Sequence, residues 1–108
     1  MKDKKISAIV LAAGQGRRMN ANTPKQYMEI LGKPMLYYSL LAFEKSDVDE
    51  VILVVGSGEE EYCRTEVVEK YGFHKVTTIV KGGAERYLSV YEGLKVLKNT
   101  EFVLIHDG

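Results

Sequence analysis

The sequence predicts an α/β fold built around a mostly parallel β-sheet. Four short runs rich in β-branched residues alternate with helix-like runs, and each strand-like run ends at glycine or a small polar turn. This alternation is typical of crossover units, in which helices cover the faces of a parallel sheet. A chain of 108 residues buries one core, so we expect a single domain.

The predicted strands cover residues 6–11, 51–55, 76–80 and 102–105. Between the first two, the run 35–45 is apolar on nearly every side, which predicts a helix packed between other elements. The run 59–71 is acidic on one face and is expected to be a solvated helix, with Cys63 as a partly exposed thiol.

The third predicted helix follows "KGG" and has the clearest helical spacing. Its apolar residues recur three or four positions apart, which predicts one apolar face. These residues are Tyr87, Val90, Tyr91, Leu94 and Leu97.

Composition excludes several classes of function. Fifteen basic and fifteen acidic residues cancel, so net charge does not favour nucleic acid or an anionic membrane. A single cysteine forms neither an internal disulfide nor a cysteine cluster, and the apolar stretch after the charged start is too short for a signal region followed by a spanning helix. We therefore expect a cytoplasmic protein without nucleic-acid or membrane partners.

The carboxyl ends of parallel strands are where ligands bind in such folds. The segment after the first strand, "AAGQGRR", combines bare backbone with positive charge. Gly14 and Gly16 let backbone N–H groups approach an anion, while Ala12 and Ala13 keep that approach narrow. Arg17 and Arg18 add charge that can grip phosphate bidentately, so the loop suits a polyphosphate.

The spacing of this loop fits neither common nucleotide motif. A dinucleotide fingerprint needs a third glycine where Met19 stands, and a Walker loop needs Gly-Lys-Ser/Thr after four intervening residues. The alternative is a tight turn with solvated arginines. Pro24 then holds the backbone extended before Lys25, which is either a second phosphate cation or an ordinary surface lysine.

Two further segments follow strands at the same predicted edge. In "KGGAERYLSV", Gly82 and Gly83 allow a ligand to approach the backbone closely, and Ser89 can offer a hydroxyl. Arg86 either touches phosphate or ties the loop together, and the structural role is preferred. Asp107 ends the fourth strand and so faces the same edge, where its carboxylate can hold a cation or serve as a C-terminal cap or loop acceptor.

Five segments in register resemble the 2-C-methyl-D-erythritol 4-phosphate cytidylyltransferase family: "LAAGQGRRM", "PKQY", "LGKPML", "GGAERYLSV" and "LIHDG". The resemblance spans all 108 residues and implies a Rossmann-like nucleotidyltransferase fold, a three-layer α/β/α sandwich. Family members are about twice as long. The chain, residues 1–108, is therefore expected to be the N-terminal, CTP-binding part of one domain and incomplete for catalysis alone.

The resemblance also implies roles for individual residues. Arg18 and Lys25 match the family's catalytic cations, and Asp107 matches its metal aspartate for Mg²⁺. The base contacts match Ala12, Ala13, Gly83, Ala84 and Ser89. Some members carry aspartate in place of Ala84. A contact made by the backbone at this position does not depend on the side chain and is therefore retained.

The implied reaction transfers CMP from CTP to 2-C-methyl-D-erythritol 4-phosphate and releases pyrophosphate, in the non-mevalonate isoprenoid pathway. A homodimer is expected of the full-length protein. Two alternatives stay open: a cytidylyltransferase for another polyol phosphate such as ribitol 5-phosphate, and a CTP-binding fragment without turnover.

Overall fold

The computed structural model describes residues 5–12, 18–20, 23–24, 29–30 and 33–107. The strands are β1 (Ile6–Leu11), β2 (Arg18–Asn20), β3 (Thr23–Pro24), β4 (Glu29–Ile30), β5 (Lys33–Pro34), β6 (Glu50–Val55), β7 (Val76–Lys81) and β8 (Phe102–Asp107). The helices are α1 (Met35–Glu44), α2 (Glu60–Cys63), which continues as a π-helical stretch (Arg64–Glu69), and α3 (Arg86–Lys95).

The four long strands form one parallel sheet in the order β7-β6-β1-β8. In this register Leu11 of β1 lies opposite Val54 of β6 on one side and Asp107 of β8 on the other. The sequence predictions for these strands are confirmed. The largest difference at a strand end is in β8, which continues two residues beyond the predicted end, to Asp107.

Helices cover both faces of the sheet, so the fold is the expected three-layer α/β/α arrangement. Alternation along β1 sends Ala8 and Val10 to one face and Ile9 and Leu11 to the other. The first face packs against residues of α1, α2 and the π-helical stretch, and the second against residues of α3 and the segment after it. Residues of β1 and β6 are therefore the centre of the core.

Helix α3 begins where the sequence predicts. Val90 and Leu97 of the predicted apolar face pack against the sheet, but the other three residues of that face are exposed. The side chains of Tyr87, Tyr91 and Leu94 are 70, 56 and 44% exposed, whereas Ser89 and Gly93 are buried. A Cβ on Gly93 would lie 2.8 Å from Cγ2 of Ile9. Small residues thus allow α3 to approach β1 closely. This close contact, rather than the apolar periodicity alone, decides which side of α3 faces the sheet.

The prediction of a partly exposed Cys63 was wrong. Cys63 is fully buried in the core because α2 packs its apolar side, together with Val67, against the sheet. The acidic side of the same helical segment carries exposed residues such as Glu61 and Glu66, as its sequence indicates.

Two short antiparallel pairs lie between β1 and α1, and the sequence did not predict them. β2 pairs with β3, with Arg18 opposite Pro24, and β4 pairs with β5. These pairs fold the segment after β1 back on itself twice before α1 begins.

Strand β8 is exposed along its whole length in the described structure. Phe102, Val103, Leu104 and Ile105 are between 37 and 51% exposed although they alternate between the two faces of the sheet. Apolar side chains on both faces of a parallel strand are ordinarily covered. Among the described residues, no helix has the length and apolar character needed to cross a membrane.

Candidate functional site

The strand order places a crevice beside β1. The connection after β1 leads to β6 on one side, whereas the connection after β7 returns to β8 on the other side. In open parallel sheets, ligands bind at the carboxyl ends of the strands where the connections diverge in this way. The carboxyl ends of β1 and β8 therefore define the candidate site.

Ala12 lies at this point and continues β1 by one residue. Its N–H donates to the carbonyl of Val54 at 2.7 Å, and its side chain is fully buried. A buried methyl group directly at the strand end leaves backbone, rather than a long side chain, at the start of the following loop. Ala12 has the location that a backbone contact to a ligand requires.

The segment after β7 crosses toward the same point. The N–H of Gly82 donates to the carbonyl of Val55 at 2.8 Å, beside the end of β6, and four residues later Arg86 reaches the last residue of β8. β1 lies between those two strands. Residues 82–86, which we call the base loop after the base contact that the family resemblance implies, therefore pass the end of β1. Gly83 and Ala84 lie on the same sheet edge as Ala12 and Asp107.

Glycine is required at position 83 by packing. A Cβ there would lie 2.4 Å from the Cβ of Leu88, an atom that cannot move without the backbone of α3. The Gly83 N–H also donates to the hydroxyl of Ser89 at 3.2 Å, and Ser89 is fully buried. Gly83 is thus fixed against the first turns of α3 by close contact and by a hydrogen bond.

Ser89 therefore has a structural partner within the predicted site. Its oxygen accepts the Gly83 N–H, and a hydroxyl retains one proton to donate. The predicted contact of Ser89 with the base stays a prediction. The geometry shows that Ser89 holds the loop that carries Gly83.

Asp107 forms an ion pair with Arg86. Nε of Arg86 donates to Oδ1 at 3.0 Å and Nη2 donates to Oδ2 at 3.5 Å, and both side chains are about half exposed. His106, the neighbour of Asp107, packs edge-on against Phe43 of α1, on the opposite face of the sheet. The expectation that Arg86 ties the loop together agrees with this contact, but the sequence alone did not identify Asp107 as its partner.

Several predicted site residues lie outside the described residues. These are Ala13, Gly14, Gly16 and Lys25. Arg18 is described at the level of the backbone, where it lies opposite Pro24, the residue that precedes Lys25 in sequence. The pairing of β2 with β3 thus places Arg18 beside the strand that ends immediately before Lys25 in sequence, and no sequence pattern predicted this pairing.

A protein-only metal centre is not present in the described part of the chain, where no three His, Cys, Asp or Glu side chains form a cluster that could hold a metal ion. Asp107 is a single, accessible carboxylate. Magnesium takes one or two protein carboxylates and completes its shell with phosphate oxygens and water. The donor set fits a magnesium ion that binds together with a nucleotide.

At the opposite edge of the sheet, the amino ends of the strands, polar side chains form hydrogen bonds with one another. The buried hydroxyl of Ser7 donates to Glu50 at 2.7 Å and lies 2.9 Å from the hydroxyl of Thr100. Glu50 also accepts from Thr77 at 3.1 Å and pairs with Lys5 at 2.9 Å. Burial by itself raises the pKa of Glu50, but the hydrogen bonds from Lys5, Ser7 and Thr77 outweigh it and hold that pKa below its ordinary value of 4.5.

The fold and the site edge define the class of protein. A parallel β7-β6-β1-β8 sheet between helical layers, with a crevice beside the first strand, is a Rossmann-like nucleotidyltransferase fold. The family model for 2-C-methyl-D-erythritol 4-phosphate cytidylyltransferase matches residues 6–108. The chain belongs to this family.

Individual relatives agree with this assignment. A 2-C-methyl-D-erythritol 4-phosphate cytidylyltransferase of Lachnoclostridium phytofermentans is 55% identical over 105 residues, which are 97% of this chain and 45% of the relative. The crystal structure of 4-diphosphocytidyl-2C-methyl-D-erythritol synthase from Anaerococcus prevotii matches with a TM-score of 0.77 at 37% identity, over 96% of this chain and 43% of that one.

A more distant structure shares the fold alone. The inositol-1-phosphate CTP transferase of T. maritima has a TM-score of 0.75 at 22% identity, over 97% of this chain and 44% of its own. In each of these comparisons the chain spans slightly less than half the length of the protein it matches.

Proposed function

We propose that the protein carrying this chain transfers CMP from CTP to 2-C-methyl-D-erythritol 4-phosphate and releases pyrophosphate, as a step of non-mevalonate isoprenoid synthesis. One observation carries the proposal: Ala12, Gly83 and Asp107 lie on one sheet edge, within a chain that belongs to the corresponding cytidylyltransferase family. Two relatives, from Lachnoclostridium phytofermentans and Alkaliphilus metalliredigens, are named as enzymes with this activity.

In the proposed reaction an oxygen of the acceptor phosphate attacks the α-phosphorus of CTP. A new P–O bond forms, the bond between the α-phosphorus and the bridging oxygen breaks, and that oxygen leaves on pyrophosphate. Negative charge spreads over the α-phosphoryl oxygens during transfer, and fixed cations stabilise that charge. We assign this task to Arg18 and Lys25.

The base loop is proposed to recognise cytosine. Cytosine presents an amino donor next to acceptor atoms, so backbone groups at Ala12, Ala13, Gly83 and Ala84 can distinguish it from uracil by leaving buried groups unpaired against the wrong base. Gly14 and Gly16 are assigned to the phosphates. Support comes from the anchoring of Gly83 by Ser89, which fixes the position of the loop.

Asp107 is proposed to hold Mg²⁺ together with the phosphates of CTP. Bound there, magnesium neutralises charge on the phosphate oxygens. The accessible carboxylate at the end of β8 supports this role. We further propose that the protein acts in the cytoplasm and as a homodimer.

A single chain of 108 residues is proposed to be insufficient for turnover. It spans 45% of the Lachnoclostridium relative, and β8 exposes apolar side chains on both faces. The groups that bind the acceptor are therefore assigned to sequence beyond this chain. A chain that binds CTP without turnover is consistent with the same site.

The test offers the intact protein CTP, Mg²⁺ and one acceptor at a time, and measures pyrophosphate release. We expect release with 2-C-methyl-D-erythritol 4-phosphate and much slower release with ribitol 5-phosphate. Faster release with ribitol 5-phosphate would establish the alternative acceptor. CTP binding without release with either acceptor would contradict the transferase assignment.

The same assay tests the two cations. Arg18→Ala or Lys25→Ala is expected to reduce kcat by about 100- to 1,000-fold, the usual effect of removing one stabilising group from a transition state. Lys95→Ala, which removes an exposed cation at the far end of α3, is the matched control and is expected to retain kcat. An unchanged kcat in Arg18→Ala would remove Arg18 from the mechanism.

A further inference from the structure

The ion pair between Arg86 and Asp107 joins two parts of the site that are far apart in sequence. Arg86 is the first residue of α3 and ends the base loop, and Asp107 is the last residue of β8. Their side chains meet through two N–H···O contacts, of 3.0 and 3.5 Å. The contact thus connects the loop assigned to the base with the carboxylate assigned to the metal.

We propose that Arg86 is a positioning residue that orients the Asp107 carboxylate toward the metal–nucleotide complex and couples it to the base loop. This inference rests on the proposed function. The planar guanidinium meets the carboxylate with two donors, which fixes the plane of the carboxylate as well as its distance. A lysine would supply the same charge at one point only.

The pair leaves Asp107 able to bind a further group. Each carboxylate oxygen has two lone pairs, and Oδ2 receives the longer of the two contacts from Arg86, 3.5 Å. Both side chains remain about half exposed, so a ligand can approach without the pair first being broken. Partners that orient a metal ligand typically change metal affinity by about 10- to 100-fold when they are removed.

The ion pair contributes little to folding, which separates its role from simple stabilisation. Both side chains are about half exposed, and an exposed pair of this kind adds little to the free energy of unfolding. Helix α3 contains a matched control, the Lys95–Glu92 pair at 3.1 Å, which is also partly exposed and lies at the other end of the helix. Arg86→Gln and Lys95→Gln should therefore have similar stability but different effects on binding.

The experiment is a double-mutant cycle in the intact protein, with Mg·CTP affinity measured by calorimetry. Arg86→Gln and Asp107→Asn are each expected to weaken binding by about tenfold. The double variant is expected to be no weaker than Asp107→Asn alone, because Arg86 acts through Asp107. Lys95→Gln is expected to bind like the parent, and Arg86→Lys to be intermediate.

A second readout tests the metal directly. Titration of Mn²⁺ in the presence of CTP, followed by electron paramagnetic resonance, is expected to show weaker ion binding in Arg86→Gln. In calorimetry the same variant should approach the parent as Mg²⁺ is raised, since excess metal compensates for a misplaced carboxylate. Unchanged Tm and far-UV circular dichroism would confirm that the variant is folded.

Several results would overturn the inference. If the effects of Arg86→Gln and Asp107→Asn multiply, Arg86 acts on the nucleotide independently of Asp107. If the loss in Arg86→Gln is the same at all Mg²⁺ concentrations, the metal is not involved. If that loss equals the loss in Lys95→Gln, Arg86 has no specific role in binding. If the parent protein does not bind Mg·CTP at all, the proposed function fails and this inference fails with it. Normal binding by both the parent and Arg86→Gln would instead overturn this inference alone.

Discussion

The two edges of the central sheet are built from different polar groups. At the amino ends of the strands, side chains bond to one another: Ser7, Glu50, Thr77 and Thr100 form a connected network. At the carboxyl ends of β1 and β8, the contacts that define the candidate site include backbone groups of the base loop, the Ser89 hydroxyl and one accessible ion pair. One edge is closed by its own side chains, and the other presents backbone and charge to solvent.

Two fully buried serines make the comparison specific. Ser7 lies at the amino edge and Ser89 beside the carboxyl edge, and both hydroxyls are hydrogen-bonded. Ser7 connects strands of the sheet, whereas Ser89 holds a glycine whose backbone lies at the candidate site. The same residue type at equal burial thus stabilises the sheet at one edge and positions the site at the other.

The largest effect is expected from Gly83→Ala. The new Cβ would lie 2.4 Å from the Cβ of Leu88, so either the loop or α3 must shift. We expect a cost of about 3 kcal/mol in the free energy of unfolding. CTP affinity should fall at least tenfold, because the base loop is displaced. Denaturant titration and calorimetry on the intact protein measure the two quantities.

Gly72→Ala is the control for that substitution at the amino edge. Gly72 has a φ of 68°, a left-handed conformation that disfavours alanine, and it precedes β7. We expect a loss of about 1 kcal/mol of stability with unchanged CTP affinity. A comparable loss of affinity in both variants would show that the two edges do not differ in function.

Alanine substitution of the two buried serines is expected to give smaller effects, which distinguish the function of one sheet edge from that of the other. Ser7→Ala removes contacts to Glu50 and Thr100 and is expected to cost about 1–2 kcal/mol of stability without changing CTP affinity. Ser89→Ala is expected to cost about 1 kcal/mol and to weaken CTP binding, since the Gly83 N–H loses its acceptor. A loss of CTP affinity in Ser7→Ala alone would reverse the comparison.

The smallest effect is a change in the pH dependence of stability. The pKa of Glu50 is lower in the folded protein than its ordinary value of 4.5. The ionised carboxylate therefore contributes to the free energy of unfolding fully above the unfolded pKa, and this contribution is lost as pH falls through the folded pKa. Glu50→Gln should therefore be less stable at pH 7 and lose less stability between about pH 5 and pH 3. Chemical denaturation across this range measures both slopes.

Glu101→Gln, a change at an exposed position near the same edge, controls for the loss of one negative charge. We expect its stability profile to follow that of the parent. Identical profiles for the parent and Glu50→Gln would show that the amino-edge network contributes nothing through the Glu50 charge.

The sheet was largely predictable from sequence because its strands are apolar and β-branched. β1 and β6 each contain five consecutive buried residues, a pattern that identifies a strand covered on both faces. Ala12 and Gly83 were predicted to lie in segments that follow strands, and Asp107 to end the fourth strand; their individual roles came from the family resemblance. The topology then places them at one edge, as expected.

The remaining features depend on contacts between distant segments. The exposed face of α3 could not be predicted from periodicity, since the fit of Gly93 against Ile9 decides which side of the helix is buried. The Arg86–Asp107 pair joins residues 21 positions apart in sequence and requires the strand order to be known. The short β2–β3 and β4–β5 pairs carry little sequence signal at two or three residues per strand.

The most direct test of the account is amide hydrogen exchange in the intact protein, with and without Mg·CTP. We predict slower exchange on ligand binding at residues 82–89 and at Ala12, and unchanged exchange at residues 48–51 and 100–102 of the amino edge. Protection confined to the amino edge, or no change at residues 82–89 at saturating Mg·CTP, would contradict the assignment of the carboxyl edge as the nucleotide site.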